Sequence, residues 1–142
     1  VGRLLRIFNA IDIANDISDD GIWVTKEDLY KKCDIITLHV PLTSETKHMI
    51  TMHEFCQMKK TAVLINTSRG EVVKQSALKE ALRRGIIAGA ALDVFENEPE
   101  IDQALVSMDN VICTPHIAGN SRQSVLAMGR AAIENLKRMV ES

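Results

Sequence analysis

Four apolar runs of strand length punctuate the chain, at 34–40 (DIITLHV), 62–66 (AVLIN), 87–93 (IAGAALD) and 110–114 (NVICT). Continuous apolar runs of this length, closed by small or polar residues, predict strands buried on both faces. Between them the spacing turns helical. Ala77, Leu78, Ala81 and Leu82 share one face of a helix that Ser76 can cap and Gly85 can terminate. A short helix is expected over 52–58. Val125, Met128, Ala132, Ile133, Leu136, Met139 and Val140 follow the i, i+3, i+4 pattern of a long amphipathic helix at the C-terminus. Strands alternating with helices indicate βαβ units and a parallel α/β sheet.

The first residues carry a separate signal. Residues 3–8 read as helix, 11–14 as a short strand, and Asp16 stands just past its end. An acidic residue there, ~20 residues after a glycine loop, is the ribose-binding position of a dinucleotide-binding unit. Gly2 lies 14 residues before Asp16 (16 − 2), too few for a helix and a strand after a last loop glycine. The register therefore starts the chain inside that helix, without the first strand or the Gly-x-Gly-x-x-Gly turn. Val1 in place of an initiator Met, with no signal-peptide pattern, agrees with a chain cut from something longer.

Composition narrows the function classes. The 142 residues are 46% hydrophobic and 25% charged, which excludes a disordered or fibrous chain. With aromatic residues at 4%, the core must be aliphatic. A net charge of -2 with 17 scattered basic residues offers no basic stripe for nucleic acid. No run approaches the ~20 apolar residues of a membrane span. Cys33, Cys56 and Cys113 are odd in number and lack CxxC spacing, which argues against a disulfide framework or structural zinc and suits a reducing cytoplasm. His48 and His53 lack the His-Glu-x-x-His spacing of a zinc site and are expected on a polar surface around the short helix. His39 is expected as a hydrogen-bonded core histidine, Cys113 as a small core residue, and the six methionines as packing elements.

Ligands of open parallel sheets bind beyond the carboxyl ends of the strands. The segments 41–46, 66–70, 93–99 and 114–119 occupy those positions, and Arg69, Glu98 and His116 converge there if the strands are parallel. Singly, each has a plain reading: a surface ion pair, a solvated loop charge, a loop histidine. Asp93 alone suits a helix cap. Together they suit reduction of a 2-keto acid. Arg presents a planar, bidentate donor pair to a carboxylate. A histidine titrating near neutrality serves as acid in reduction and base in oxidation, and a neighbouring carboxylate orients it and favours imidazolium.

Four stretches, 39–46 (HVPLTSET), 64–70 (LINTSRG), 89–99 (GAALDVFENEP) and 114–119 (TPHIAG), resemble, in the right order, the signatures of D-isomer-specific 2-hydroxyacid dehydrogenases. The resemblance implies an NAD-dependent oxidoreductase acting on a D-2-hydroxy acid and its 2-keto form. It implies a Rossmann-like, doubly wound parallel sheet truncated at its N-terminus, with 1–120 a partial NAD-binding domain and 121–142 a helix leading to a separate substrate domain. Arg69 is then the carboxylate anchor, His116 the acid–base group and Glu98 its partner. Cofactor contacts are implied at Asp16, Val40, Thr46, Thr67, Ser68, Arg69, Asp93, His116 and Gly119, with Asp16 on the adenosine ribose and Asp93 on the nicotinamide carboxamide. Asp16, with Asp19 and Asp20 nearby, favours NAD over NADP because a carboxylate repels a 2'-phosphate. A homodimer through the cofactor domain is implied as well. Lys74 stands where the family often has an acidic helix cap, so Ser76 is expected to take that role. Two other readings are a non-catalytic dinucleotide-binding module of corepressor type and a fragment inactive by itself.

Overall fold

The computed structural model describes residues 24–141. The expected helix at 3–8, strand at 11–14, and Asp16 lie outside them. In chain order the elements are α1 (Lys26–Lys32), β1 (Ile35–Leu38), α2 (Met52–Phe55), β2 (Val63–Asn66), a 3-10 turn (Gly70–Val72), α3 (Gln75–Arg83), β3 (Gly89–Leu92), α4 (Gln103–Val106), β4 (Val111–Cys113) and α5 (Arg122–Glu141). All four expected strands form. They pair in parallel in the order β1-β2-β3-β4. Leu38 pairs with Asn66, Asn66 with Leu92 and Leu92 with Cys113, so the four carboxyl ends align along one edge.

The sheet is an α/β, Rossmann-like arrangement, but burial of its two faces is unequal. Sequential strand order with crossovers of one hand puts the connecting helices on one side. Tyr30 of α1, Phe55 of α2, Leu78, Ala81 and Leu82 of α3, and Leu105 of α4 join Ile36, Leu38, Leu64, Ala90 and Leu92 in one buried cluster. On the opposite face Ile35 and Ile112 are 57% and 71% exposed. The expectation of strands buried on both faces is therefore corrected for the outer strands, and the second helical layer of a doubly wound sheet is not among the described residues.

Local chemistry explains most helix ends. Thr25 caps α1 by accepting from the Asp28 N–H at 3.1 Å. Thr51 and Glu54 form a capping box on α2, which ends at Phe55 and so is shorter than the expected 52–58. Asp102 caps α4 and pairs with Lys79 of α3. The C-terminus of α3 follows the sequence: Gly85, at φ +62°, donates to Leu82 O and Ile86 donates to Ala81 O, the paired bonds of a Schellman motif. The N-terminus of α3 does not. Ser76 lies inside the helix, and the N-cap position is Lys74, which makes no side-chain cap bond.

His39 and two of the six methionines depart from expectation too. His39 lies just past β1, exposed, with its Nε2 2.9 Å from the Thr37 hydroxyl. Met58 is buried and Met49, Met52 and Met108 pack against the core, whereas Met128 and Met139 are exposed on α5. The apolar stripe of α5 forms as expected, yet Val125, Met128, Ile133 and Leu136 are each more than half exposed. Its pattern specifies a face to be buried, and the described residues do not bury it. No helix among the described residues is long and apolar enough to cross a membrane.

Candidate active site

The loops that leave the four aligned strand ends build the site. After β2, Asn66 is 1% exposed and ties the turn that presents Arg69. Its Oδ1 accepts from the Ser68 N–H and hydroxyl, and its Nδ2 donates to Arg69 O at 2.9 Å. Such side-chain closure of a turn by Asn is local chemistry. The Arg69 guanidinium donates to Ser68 O and, among the described residues, makes no ion pair with a carboxylate. Gly70 follows because nothing larger fits: a Cβ there would stand 2.0 Å from the carbonyl carbon and oxygen of Phe95.

After β3, Asp93 is 4% exposed, and its carboxylate gathers the loop that follows β4. Oδ1 accepts from the Thr114 hydroxyl and the Ile117 N–H, and Oδ2 from the Ala118 N–H at 2.8 Å. Burial alone would push the Asp93 carboxyl up; the bonds from Thr114, Ala118 and Ile117 outweigh it and hold the group below the usual carboxylate range. Asp93 thus closes a loop across two strand ends, rather than capping a helix. Within that loop His116 has φ +53°, a left-handed conformation rare for a non-glycine residue.

The His116 ring meets Glu98. Its Nδ1 lies 2.8 Å from Glu98 Oε2, while Glu98 Oε1 accepts from the Phe95 N–H at 2.8 Å. A carboxylate accepts only, so Nδ1 carries the proton of this bond and Nε2 is left to exchange one with a ligand. The His116 bond foremost, against the opposing effect of burial, and the Phe95 N–H hold the Glu98 carboxyl below its usual range. Arg69, Glu98 and His116 line one open cleft of about 190 Å³, with Gly70, Glu71, Val94, Phe95 and Glu96. The cleft can take a small carboxylate, facing one guanidinium and one imidazole.

The remaining expected cofactor positions lie along the same edge. Val40 and Thr67 are half-buried just beyond β1 and β2, and Gly119 is exposed at the end of the His116 loop. The hydroxyls of Thr46 and Ser68 are engaged in their own loops, the first donating to Pro41 O at 2.6 Å and the second to Asn66. Parallel strand ends in register, with backbone-rich loops beyond each, fit an extended dinucleotide laid across them.

Two further residues, given no functional role from the sequence, meet beside the cleft. Glu96 Oε1 lies 2.6 Å from His48 Nε2, and its Oε2 accepts from the Gln75 N–H at 3.1 Å, which supplies the helix cap expected from Ser76. His48 is accordingly half-buried and hydrogen-bonded to Glu96 rather than part of a polar surface around α2. A signal was present in Lys74, which leaves α3 without a capping side chain of its own, but nothing in the spacing pointed from Gln75 to Glu96, 21 residues ahead.

Residues 6–118 match the sequence profile of the NAD-binding domain of D-isomer specific 2-hydroxyacid dehydrogenases. The chain is similar to the glyoxylate reductase of Korarchaeum cryptofilum, 49% identical over 115 residues, covering 80% of this chain and 35% of that protein. It is 44% identical over 130 residues to the D-3-phosphoglycerate dehydrogenase of Methanocaldococcus jannaschii, covering 92% of this chain and 23% of that protein. Its fold superposes on the crystal structure of a glyoxylate reductase from Paecilomyes thermophila with a TM-score of 0.92 at 30% identity, covering 99% of this chain and 45% of that one. The chain thus spans less than half the length of these proteins.

Proposed function

This chain belongs to the D-isomer specific 2-hydroxyacid dehydrogenase family through its NAD-binding domain, and from that premise we propose that the complete polypeptide carrying it interconverts a small D-2-hydroxy acid and its 2-keto form. The observation that best supports the reading is the His116 to Glu98 hydrogen bond of 2.8 Å in the cleft that Arg69 also lines.

Arg69 pairs with the substrate carboxylate through two parallel N–H donors, which fixes the carbonyl next to the histidine. His116 gives a proton from Nε2 to the carbonyl oxygen during reduction and takes it from the hydroxyl during oxidation. Glu98 holds the ring through Nδ1, and Asp93 holds the loop beneath it. Bound NAD(H) supplies or accepts the hydride. Asp16, Val40, Thr46, Thr67, Ser68, Arg69, Asp93, His116 and Gly119 are the residues proposed to hold it.

Glyoxylate is the first substrate to try, since several relatives named glyoxylate reductase are 46–50% identical to this chain. Consumption of NADH by the complete polypeptide, measured with glyoxylate, hydroxypyruvate and pyruvate, tests the reading. Turnover with at least one is expected, and inactivity with every short 2-keto acid would sink it. Residues 1–142 alone are proposed to bind NAD weakly and to lack turnover; micromolar binding in a calorimeter overturns that part. A homodimer through the cofactor domain and a cytoplasmic location complete the proposal, the first testable by sedimentation.

A further inference from the structure

Glu98 makes two contacts, one to the His116 ring and one to the Phe95 N–H, so its position depends on how residues 94–98 are held. Three restraints fix that segment from outside. Gly70 packs backbone against backbone at Phe95. Gln75, at the start of α3, exchanges two bonds with Glu96: its N–H donates to Glu96 Oε2 at 3.1 Å, and its Oε1 accepts from the Glu96 N–H at 3.3 Å. His48 bonds Glu96 Oε1 at 2.6 Å.

His48 is itself pinned. Its N–H donates to Glu71 O at 2.7 Å, its φ is +52°, and the next residues pair with the 70–74 turn through the Ile50 and Val73 bridge. The loop after β1, the N-terminus of α3 and the loop after β3 therefore meet at one carboxylate. Both Glu96 oxygens and its N–H are bonded there, and no buried side-chain polar atom among the described residues lacks a partner.

We infer that Glu96 and His48 are a positioning pair for the acid–base dyad, holding residues 94–98 so that the Glu98 carboxylate stands at His116. The inference rests on the reading of His116 and Glu98 given above. Removing the Glu96 carboxylate orphans the first N–H of α3 and unties the segment from His48. Glu98 then loses its fixed distance to the ring, whereas Arg69, whose carbonyl is held by Asn66 Nδ2, keeps its place. A misplacement of about 1 Å at a reacting group costs up to ~100-fold in rate.

The test compares Glu96→Ala, Glu96→Gln, His48→Ala, the double variant Glu96→Ala/His48→Ala, and His116→Ala in the complete polypeptide, with NADH and glyoxylate or whichever 2-keto acid supports turnover. Glu96→Ala is expected to lower kcat about tenfold or more while KM for the keto acid stays within about twofold. Glu96→Gln, which keeps an oxygen for the Gln75 N–H and an amide for His48, restores most of it. The double variant is no worse than Glu96→Ala, because the two residues act as one unit. Wild-type kcat in Glu96→Ala, or a Gln variant as poor as the Ala variant, overturns the positioning role when His116→Ala is inactive. Full turnover in His116→Ala removes the dyad and the pair together.

Discussion

Gly70 and Phe95 touch backbone to backbone, so closely that a single methyl group on Gly70 would stand 2.0 Å from the Phe95 carbonyl carbon and oxygen. The contact joins the loop that carries Arg69 to the loop that carries Glu98. Gly70→Ala must push the two apart. The expected result is a loss of about 2 kcal/mol or more by chemical denaturation, with a fall in kcat/KM larger than for a surface alanine substitution. A variant with wild-type midpoint and wild-type activity would show that the loops can part without consequence.

His116→Ala should lower kcat by ~100-fold to 10,000-fold, the usual contribution of a positioned acid–base group. NADH affinity, followed by fluorescence titration, should fall far less than kcat, because His116 is one of nine residues proposed to hold the cofactor. Glu98→Gln should give a smaller loss, since an amide oxygen can still accept from Nδ1 and hold the ring, without the charge that strengthens that bond. Unchanged turnover in His116→Ala refutes its role.

Arg69 separates shape from charge. Arg69→Ala should reduce kcat/KM for the keto acid by ~10-fold to 100-fold, the worth of charge-assisted hydrogen bonds to a carboxylate. Arg69→Lys should recover little, because an ammonium cannot form the parallel pair of bonds. A lysine variant that matches wild type would mean that a point charge suffices.

Acid should loosen the site through Asp93 and Glu98. Both carboxyls are held below their usual range in the folded protein. A group depressed in this way adds stability that is present above its unfolded pKa, about 4, and is lost as pH falls through its folded value. Stability should therefore fall as pH drops below about 4–5. Asp93→Asn should be less stable at neutral pH and should flatten that fall. A pH dependence in the Asn variant as steep as in wild type would assign the effect to other carboxylates.

The cofactor preference rests on Asp16, which lies outside the described residues. Steady-state comparison of NADH and NADPH in the complete polypeptide should favour NADH, because a carboxylate at the ribose repels the 2'-phosphate. A preference for NADPH would contradict the assignment.

Much of the fold was legible because its signals are local. The runs at 34–40, 62–66, 87–93 and 110–114 contain the four strands, and the cap at Gly85 depends only on the helix before it. Arg69, Glu98 and His116 can be gathered from the sequence because parallel strands put their carboxyl ends on one edge. What misled was also local in origin. Ser76 is a good capping residue in a plausible place, yet the helix starts two residues earlier than a Ser76 cap implies and takes its cap from Glu96, 21 positions beyond Gln75. His48 and His39 exchanged expected roles, the one half-buried against Glu96 and the other exposed beside Thr37.

By itself, then, the sequence determined the elements, their parallel α/β arrangement and the residue types that suit hydride-transfer chemistry, because periodicity, turn residues and strand ends act over a few positions. Only the tertiary structure decided which groups hold those residues in place. Asp93 gripping the His116 loop, Gly70 against Phe95, and Glu96 between His48 and Gln75 are contacts across strand ends, and their partners are chosen by register and close packing rather than by spacing along the chain.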